Sequence, residues 1–365
     1  MLAVVLAGCG SGRVAQAPAS GSAVLPGLSP AQLAGQRVIY SYQGLTPPAG
    51  LLAAIRHGEA GGVIFFGGNI SGTAQIAGVI SQLDRANASP GNPLRRLPLL
   101  LMTDQEGGLV RRLPGAPVQS QKQIGESADA AAAAASAGTG AGQTLASVGM
   151  NVNLAPVLDV SRAPGGFDDQ YGRSYGSNPR VAASLGAHFI TAQQAVGVAA
   201  TAKHFPGLGA AASFQNTDTG PVTLNVPLRD LRAIDEYPFR AAITAGVKLV
   251  MVSWAVYPAL DPARPAGLSP AIADGELRGR LGFTGVTITD ALEAGALQAY
   301  GTTGHRATLA AGAGMDLILC ASQNPGQGDQ ARTALREGFT SGALDHAAFT
   351  AAVHRIISLK ASLRR

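Results

Sequence analysis

Eight short apolar runs, separated by stretches with helical character, restrict what this chain can fold into more than any other feature. They are RVIYSY (37–42), GGVIFF (61–66), LPLLLMTD (97–104), NVNLAPVLDV (151–160), GVAATAKHF (197–205), VKLVMVSW (247–254), GVTITD (285–290) and MDLILC (315–320). Most are continuous rather than alternating in polarity, as expected of strands buried on both faces of a parallel sheet. Helices are expected around 51–60, 73–87, 128–148, 178–196, 228–245, 269–281 and 303–313, with a closing pair near 328–339 and 346–362. The run ADAAAAAASAG within the third of these is a strong helix former rather than a flexible linker. Eight strand–helix units predict an α/β fold closed as a single-domain (β/α)8 barrel of the TIM type. An open, doubly wound sheet is the competing architecture, but no GxGxxG turn joins the first strand to its helix.

Composition supports one large core. Hydrophobic residues make up 46% of the 365 and charged residues 13%, which excludes a disordered chain. The net charge of +5 comes from 27 basic and 22 acidic residues that are scattered, with no basic run interleaved with aromatics. Nucleic acid is therefore not an expected partner. No apolar run reaches the length of a membrane-spanning helix. At the N-terminus, LAGC (6–9) follows a short apolar run and resembles a bacterial lipobox, which makes Cys9 the expected lipidation site. Residues 1–9 then read as a signal-like segment, 10–28 as a tether and 29–365 as the barrel domain. This predicts a cell-envelope or secreted protein, monomeric, with any membrane contact made through a lipid anchor. Cys320 would be a buried free thiol.

The polar residues that interrupt the apolar runs gather at strand ends. Asp104, Asp159, Lys203 with His204, Ser253 with Trp254, and Asp290 close strands three to seven in order. In a (β/α)8 barrel these ends share one mouth, where active sites form. Asp159 reads as a structural, helix-capping residue. No HExxH and no close His pair signals a metal site, no GxSxG signals a serine nucleophile, and no cofactor is expected. What remains is carboxylate chemistry in a polar pocket, the requirement of glycoside hydrolysis.

Five segments carry a family resemblance: TDQEGGLVRRL (103–113), NVNLAPVLDV (151–160), GRSYG (172–176), KHFPGLG (203–209) and GFTGVTITDALEAGAL (282–297). In this order they resemble glycoside hydrolase family 3, and within it the single-domain bacterial β-N-acetylhexosaminidases. The resemblance runs from about residue 30 to the C-terminus and implies a barrel without the second αβα domain of larger members. It implies that Asp290 is a nucleophile in a retaining, exo-acting mechanism. It further implies that Asp104, Arg112, Arg173, Lys203 and His204 contact the terminal sugar of a β-linked amino-sugar glycan. A β-glucosidase of the same family is the nearest alternative.

One segment departs from the family pattern. The loop after strand five would run KHFPGHG and then Asp-Ser-His, the His being the acid/base. Here Leu208 replaces the first loop His, the intervening segment is longer, and NTDTG places Asp218 with Gly220 where the acid/base His would fall. Three readings follow. Asp218 serves as acid/base with a pKa raised by its pocket; or His204 takes the role; or the acid is lost and the chain binds glycans or cleaves only substrates with good leaving groups. Asp218 also reads as a turn residue of Asx type.

Overall fold

The structure, a computed structural model, describes residues 27–363. Cys9 and nearly all of the expected signal and tether segments lie outside the described residues. Eight parallel strands form the barrel: β1 (Val38–Tyr40), β2 (Gly62–Ile64), β3 (Leu100–Thr103), β4 (Val152–Asn153), β5 (Ala199–Phe205), β6 (Leu249–Val252), β7 (Val286–Thr289) and β8 (Ile318–Leu319). Each lies inside one of the eight apolar runs. Neighbours pair in parallel from β7 back through β1 to β8. The ring closes where Leu317 donates to the Thr287 carbonyl at 2.9 Å and accepts from Thr289 N at 3.0 Å.

Both faces of the strands are dry, which explains the continuous apolar runs. Ile39, Ile64, Leu100, Met102, Leu249 and Ile288 belong to the inner cluster. The alternate residues, such as Val38, Tyr40, Val63, Leu101 and Val250, pack outward against the helices. Ile356 and Leu359 of the last helix, His346–Ser362, join the inner cluster from the end opposite the strand C-termini. Cys320 is buried and free.

The Ala-rich run is a helix, Ala130–Val148, capped by the Asp129 side chain and ended by Gly149 in the left-handed region. Its small residues have a packing purpose. A Cβ on Gly138 would stand 2.2 Å from the Phe189 carbonyl oxygen of the next helix, Pro179–Ala195. Two expected helices differ from expectation. The 228–245 segment splits into a short turn, a π-helical stretch (Leu231–Asp235) and a helix (Tyr237–Thr244), because Pro238 cannot supply a helical N–H and sits in the first turn of a new helix. The 269–281 segment is also wound in π-helical turns, over Ala271–Arg280.

Lys360 lies buried beneath the barrel, where its Nζ donates to Gln36 Oε1 at 2.6 Å and, among the described residues, forms no ion pair with a carboxylate. Burial lowers its pKa to about 7. The unfolded chain holds that proton to about pH 10.4. Unfolding above pH 7 therefore takes up a proton, and the charge penalty is fully present below pH 7 and relieved as pH rises. Burial pushes the Cys320 thiol up, which lowers stability only above the ordinary thiol range near pH 8.5. Between pH 7 and 8.5 the urea midpoint is expected to rise with pH, and Lys360→Met is expected to flatten that rise; an identical slope in the variant would refute the assignment.

Candidate active site

The strand ends converge as expected. Asp104, Arg112, Arg173, Lys203, His204, Asp218 and Asp290 all line one cavity of about 260 Å³ at the C-terminal end of the barrel. Ile64, Leu154, Met251 and Leu319 also line it, and they belong to the packed barrel interior, so the cavity has an apolar floor. A larger depression of about 660 Å³ lies near the strand beginnings, lined by residues such as Arg95, Arg96 and Asn151. It gathers none of the seven residues and stands at the end of the barrel that serves stability rather than chemistry.

The segment after β3 shows how local sequence positions the polar groups. Asp104 and Glu106 line the cavity, while Gln105 between them is buried on the other side. The Gln105 amide donates to the carbonyls of Leu113 and Ala116 and accepts from the N–H groups of Arg112 and Leu113. Its own N–H is held by Asn153 Oδ1 at 2.9 Å. One buried amide thus fixes the hairpin that carries Arg112, whose Nη2 stands 4.0 Å from Asp104 Oδ2.

Glu106, absent from the sequence-derived site, is its electrostatic centre. It receives Arg173 through both Nε (2.9 Å) and Nη2 (3.0 Å), and Lys203 Nζ lies 2.7 Å from its Oε1. Lys203 also donates to Asp104 Oδ1 at 2.8 Å. Burial alone would raise the Glu106 carboxyl, but Arg173 and Lys203 outweigh it and hold it at about 2. Burial likewise opposes the Lys203 charge, yet Asp104 and Glu106 raise its pKa. Signs alternate along this chain, so each charge is answered inside a dry wall.

His204 is set by a second group of residues. Burial lowers it to about 4, with Arg173 adding repulsion, so the ring is neutral at neutral pH. Its Nδ1 stands 2.7 Å from Asp159 Oδ2, which leaves Nε2 as the acceptor for a ligand. Asp159 is structural, as expected, but it caps no helix. Its Oδ1 accepts the N–H groups of His204 (3.3 Å) and Leu208 (2.6 Å), which shapes the turn after β5. Asp168 pairs with Arg173 at 2.8 Å and lies beside Asp159. Burial pushes Asp159 up to about 6 and Asp168 up to about 7. Ligand atoms of Asp159, Asp168 and His204 lie within 4.8 Å of one another, a convergence from separate loops that local spacing does not signal. Protein donors already engage Asp159 and one oxygen of Asp168, leaving only Asp168 Oδ2 without a protein donor.

Asp290 follows β7, and its Oδ1 accepts the Ala291 N–H at 2.7 Å. Trp254 does not line the cavity; its indole N–H donates to the Ala291 carbonyl at 2.8 Å and fixes the backbone beside Asp290. Ser253 is buried and caps the Ala255 N–H. Burial raises the Asp290 pKa, Asp218 adds to the rise, and the Ala291 N–H and Lys203 oppose it.

Asp218 reaches the cavity because the loop after β5 is fastened to the loop after β7. Gly295 N donates to the Asp218 carbonyl at 2.8 Å and Ala296 N to the Thr217 carbonyl at 2.9 Å. A Cβ on Gly295 would lie 2.4 Å from the Thr219 carbonyl carbon, so only glycine permits this approach. The Asx turn in this loop belongs to Asn216, whose Oδ1 accepts the Asp218 N–H at 2.9 Å. The Asp218 carboxylate is free of turn duty and exposed at the rim. Partial desolvation raises its pKa, and the Glu293 carboxylate raises it further. Glu293 is a third acidic group that sequence reasoning missed, anchored by Gln327 Nε2 (3.0 Å) and Ala321 N (3.2 Å).

Comparison with known proteins gives this cavity a context. A model of the glycosyl hydrolase family 3 N-terminal domain matches residues 41–359. An uncharacterized secreted glycosyl hydrolase of the fungus Arthroderma benhamiae is 44% identical over 331 residues, covering 90% of this chain and 93% of its own. The crystal structure of a β-N-acetylhexosaminidase from Beutenbergia cavernae superposes with a TM-score of 0.82 at 33% identity, covering 92% of this chain and 99% of that one. A family 3 β-N-acetylglucosaminidase from Paenibacillus sp. FPU-7 superposes with a TM-score of 0.85 at 34% identity over 92% of this chain, which spans only 63% of that protein. The barrel, the order of the strand-end motifs and these matches agree: the chain belongs to glycoside hydrolase family 3.

Proposed function

We propose that this protein is an exo-acting, retaining β-glycosidase that releases terminal, non-reducing N-acetylglucosamine from β-linked glycans such as cell-wall fragments. The observation that carries the reading is the single cavity of about 260 Å³, near the lower bound for ligand sites, walled by charged groups and floored by the barrel core. A cavity of this size suits one sugar ring. The β-N-acetylhexosaminidase activity of the Beutenbergia relative supports the amino-sugar specificity.

In this reading the Asp290 carboxylate attacks the anomeric carbon as the bond to the leaving oxygen breaks, and Asp218 gives that oxygen its proton. The Asp218 carboxylate then takes a proton from water, which attacks the same carbon, frees Asp290 and leaves the configuration retained. Asp104, Arg112, Arg173, Lys203 and the Nε2 of His204 bind sugar hydroxyls. Glu106 orients Arg173 and Lys203. The raised pKa of Asp218 suits a donor, which must hold its proton until the transition state. Secretion is supported by the description of the Arthroderma relative; lipid anchoring through Cys9 is a further proposal, and finding Cys9 unmodified by mass spectrometry of native protein would dismiss it.

Two experiments test the chemistry. Wild-type protein is expected to cleave an aryl β-N-acetylglucosaminide, and Asp290→Ala to abolish cleavage. Asp218→Asn is expected to slow unactivated glycans by about 10²–10⁴-fold but aryl substrates with good leaving groups far less, and azide is expected to restore turnover of Asp218→Ala on those substrates. Equal losses on both substrate types would remove Asp218 from the donor role. Preference for an aryl β-glucoside would shift the sugar assignment, and binding without any turnover would make the protein a glycan binder.

The second concerns pH. The basic limb of kcat/KM reports the donor that must stay protonated. Asp218 faces Glu293 and Asp104, which raise it, and Arg173 and Lys203, which lower it. Removing one negative charge in Glu293→Gln is therefore expected to move the basic limb to lower pH. A limb that stays in place would show that Glu293 does not tune the donor.

A further inference from the structure

Six large apolar side chains are exposed among the described residues, and five of them stand on loops at the strand C-termini. Leu45 follows β1, Leu109 and Val118 follow β3, Tyr171 follows β4 and Phe214 follows β5. Scattered exposed apolar residues need no explanation, but a concentration at one end of a barrel does. Phe214 is 82% exposed, the most of the six. It stands in the β5 loop between Leu208 and Asp218, in the segment that reads as longer than the family resemblance implies.

Hydrogen bonds tie that part of the loop to the cavity. The Phe167 N–H donates to the Ala211 carbonyl at 3.0 Å, and Gln170 Nε2 donates to the Ser213 carbonyl at 2.8 Å. Phe167 lines the cavity, and its ring meets Tyr171 edge to face at a centroid distance of 6.0 Å. A path of aromatic residues thus leads from the cavity wall through Phe167 to Tyr171 and the loop bearing Phe214. A cavity for one ring leaves the rest of a glycan outside, over this rim. Sugar rings present C–H faces that pack on aromatic faces, while the charged groups that recognise hydroxyls are buried or half-buried.

We propose that Phe214 and Tyr171 form an apolar platform for the leaving-group side of the substrate, against which the sugar next to the scissile bond packs. The substrate class is then an oligosaccharide of two or more rings rather than a glycoside of a small alcohol. This rests on the hydrolase reading above.

The test compares β-1,4-linked N-acetylglucosamine di- and trisaccharides with N-acetylglucosaminyl β-fluoride, whose leaving group carries no ring. Phe214→Ala and Tyr171→Ala are expected to raise KM for the oligosaccharides by about 3- to 10-fold, the scale of one aromatic contact, with kcat little changed and the fluoride unaffected. A KM effect without a kcat effect marks binding shared by ground and transition states. Because both side chains are solvent-exposed, their removal leaves the core intact. If wild type cleaves all three substrates and the variants match it, or lose activity on the fluoride equally, the platform is refuted while the hydrolase reading stands. If wild type cleaves none, both fall together. If instead Phe214→Ala abolishes co-sedimentation with anionic lipid vesicles and leaves the kinetics unchanged, the rim is a membrane contact and the proposal is overturned.

Discussion

Everything at the mouth of this barrel depends on two cations sharing one buried carboxylate. Glu106 accepts from Arg173 and Lys203 together, and each cation reaches a second acid, Asp168 or Asp104. Placing these charges out of water is costly, and the arrangement holds because every member is answered by a neighbour of opposite sign. Breaking such a pair typically costs about 3–5 kcal/mol, since the surviving charge is left stranded. The network therefore fixes the positions of side chains from β3, β4 and β5 relative to one another before any ligand arrives. Binding groups held in this way lose little freedom when a sugar enters, which is the advantage of a preorganised site.

The architecture was legible in the sequence because a parallel barrel buries both faces of each strand. Continuous apolar runs, too short for membrane helices and too regular for loops, leave few alternatives, and all eight contain a barrel strand. The single helix expected over 228–245 is three shorter elements, although Pro238 marks a break within it. The seven named site residues meet in one cavity because strand ends of a closed barrel must converge. Glu106 was detectable too. It lies two residues beyond Asp104, the period that returns a side chain to the same side of an extended segment. Asp168 and Glu293 had no comparable signal, since long-range loop packing brings them in and no local spacing encodes it.

The β5 loop is where the sequence differs from the pattern that the family resemblance implies, and the structure shows how this loop is built. Asn216 takes the turn-forming role that Asp218 seemed equally suited to fill. Leu208, in place of a histidine, is buried and gives its N–H to Asp159. Gly295 lets the neighbouring loop come close enough to hold Asp218 by its own carbonyl. Gly220, where the resemblance would place the imidazole, carries no side chain. A carboxyl group two residues earlier stands beside the β7 loop instead, with Glu293 as an acidic neighbour.

The apolar floor of the cavity has a kinetic meaning. A blind pocket has one doorway, so traffic through it is ordered. In a retaining glycosidase the departing fragment lies nearest the doorway and has to clear it before water can follow. On the retaining mechanism proposed above, the sugar meanwhile waits below, bonded to the protein, in a ping-pong cycle. Whatever alcohol occupies the doorway first competes with water for that sugar. The balance between hydrolysis and transfer of the sugar to a new acceptor is then governed by the rim loops, and the floor beneath has no part in that choice.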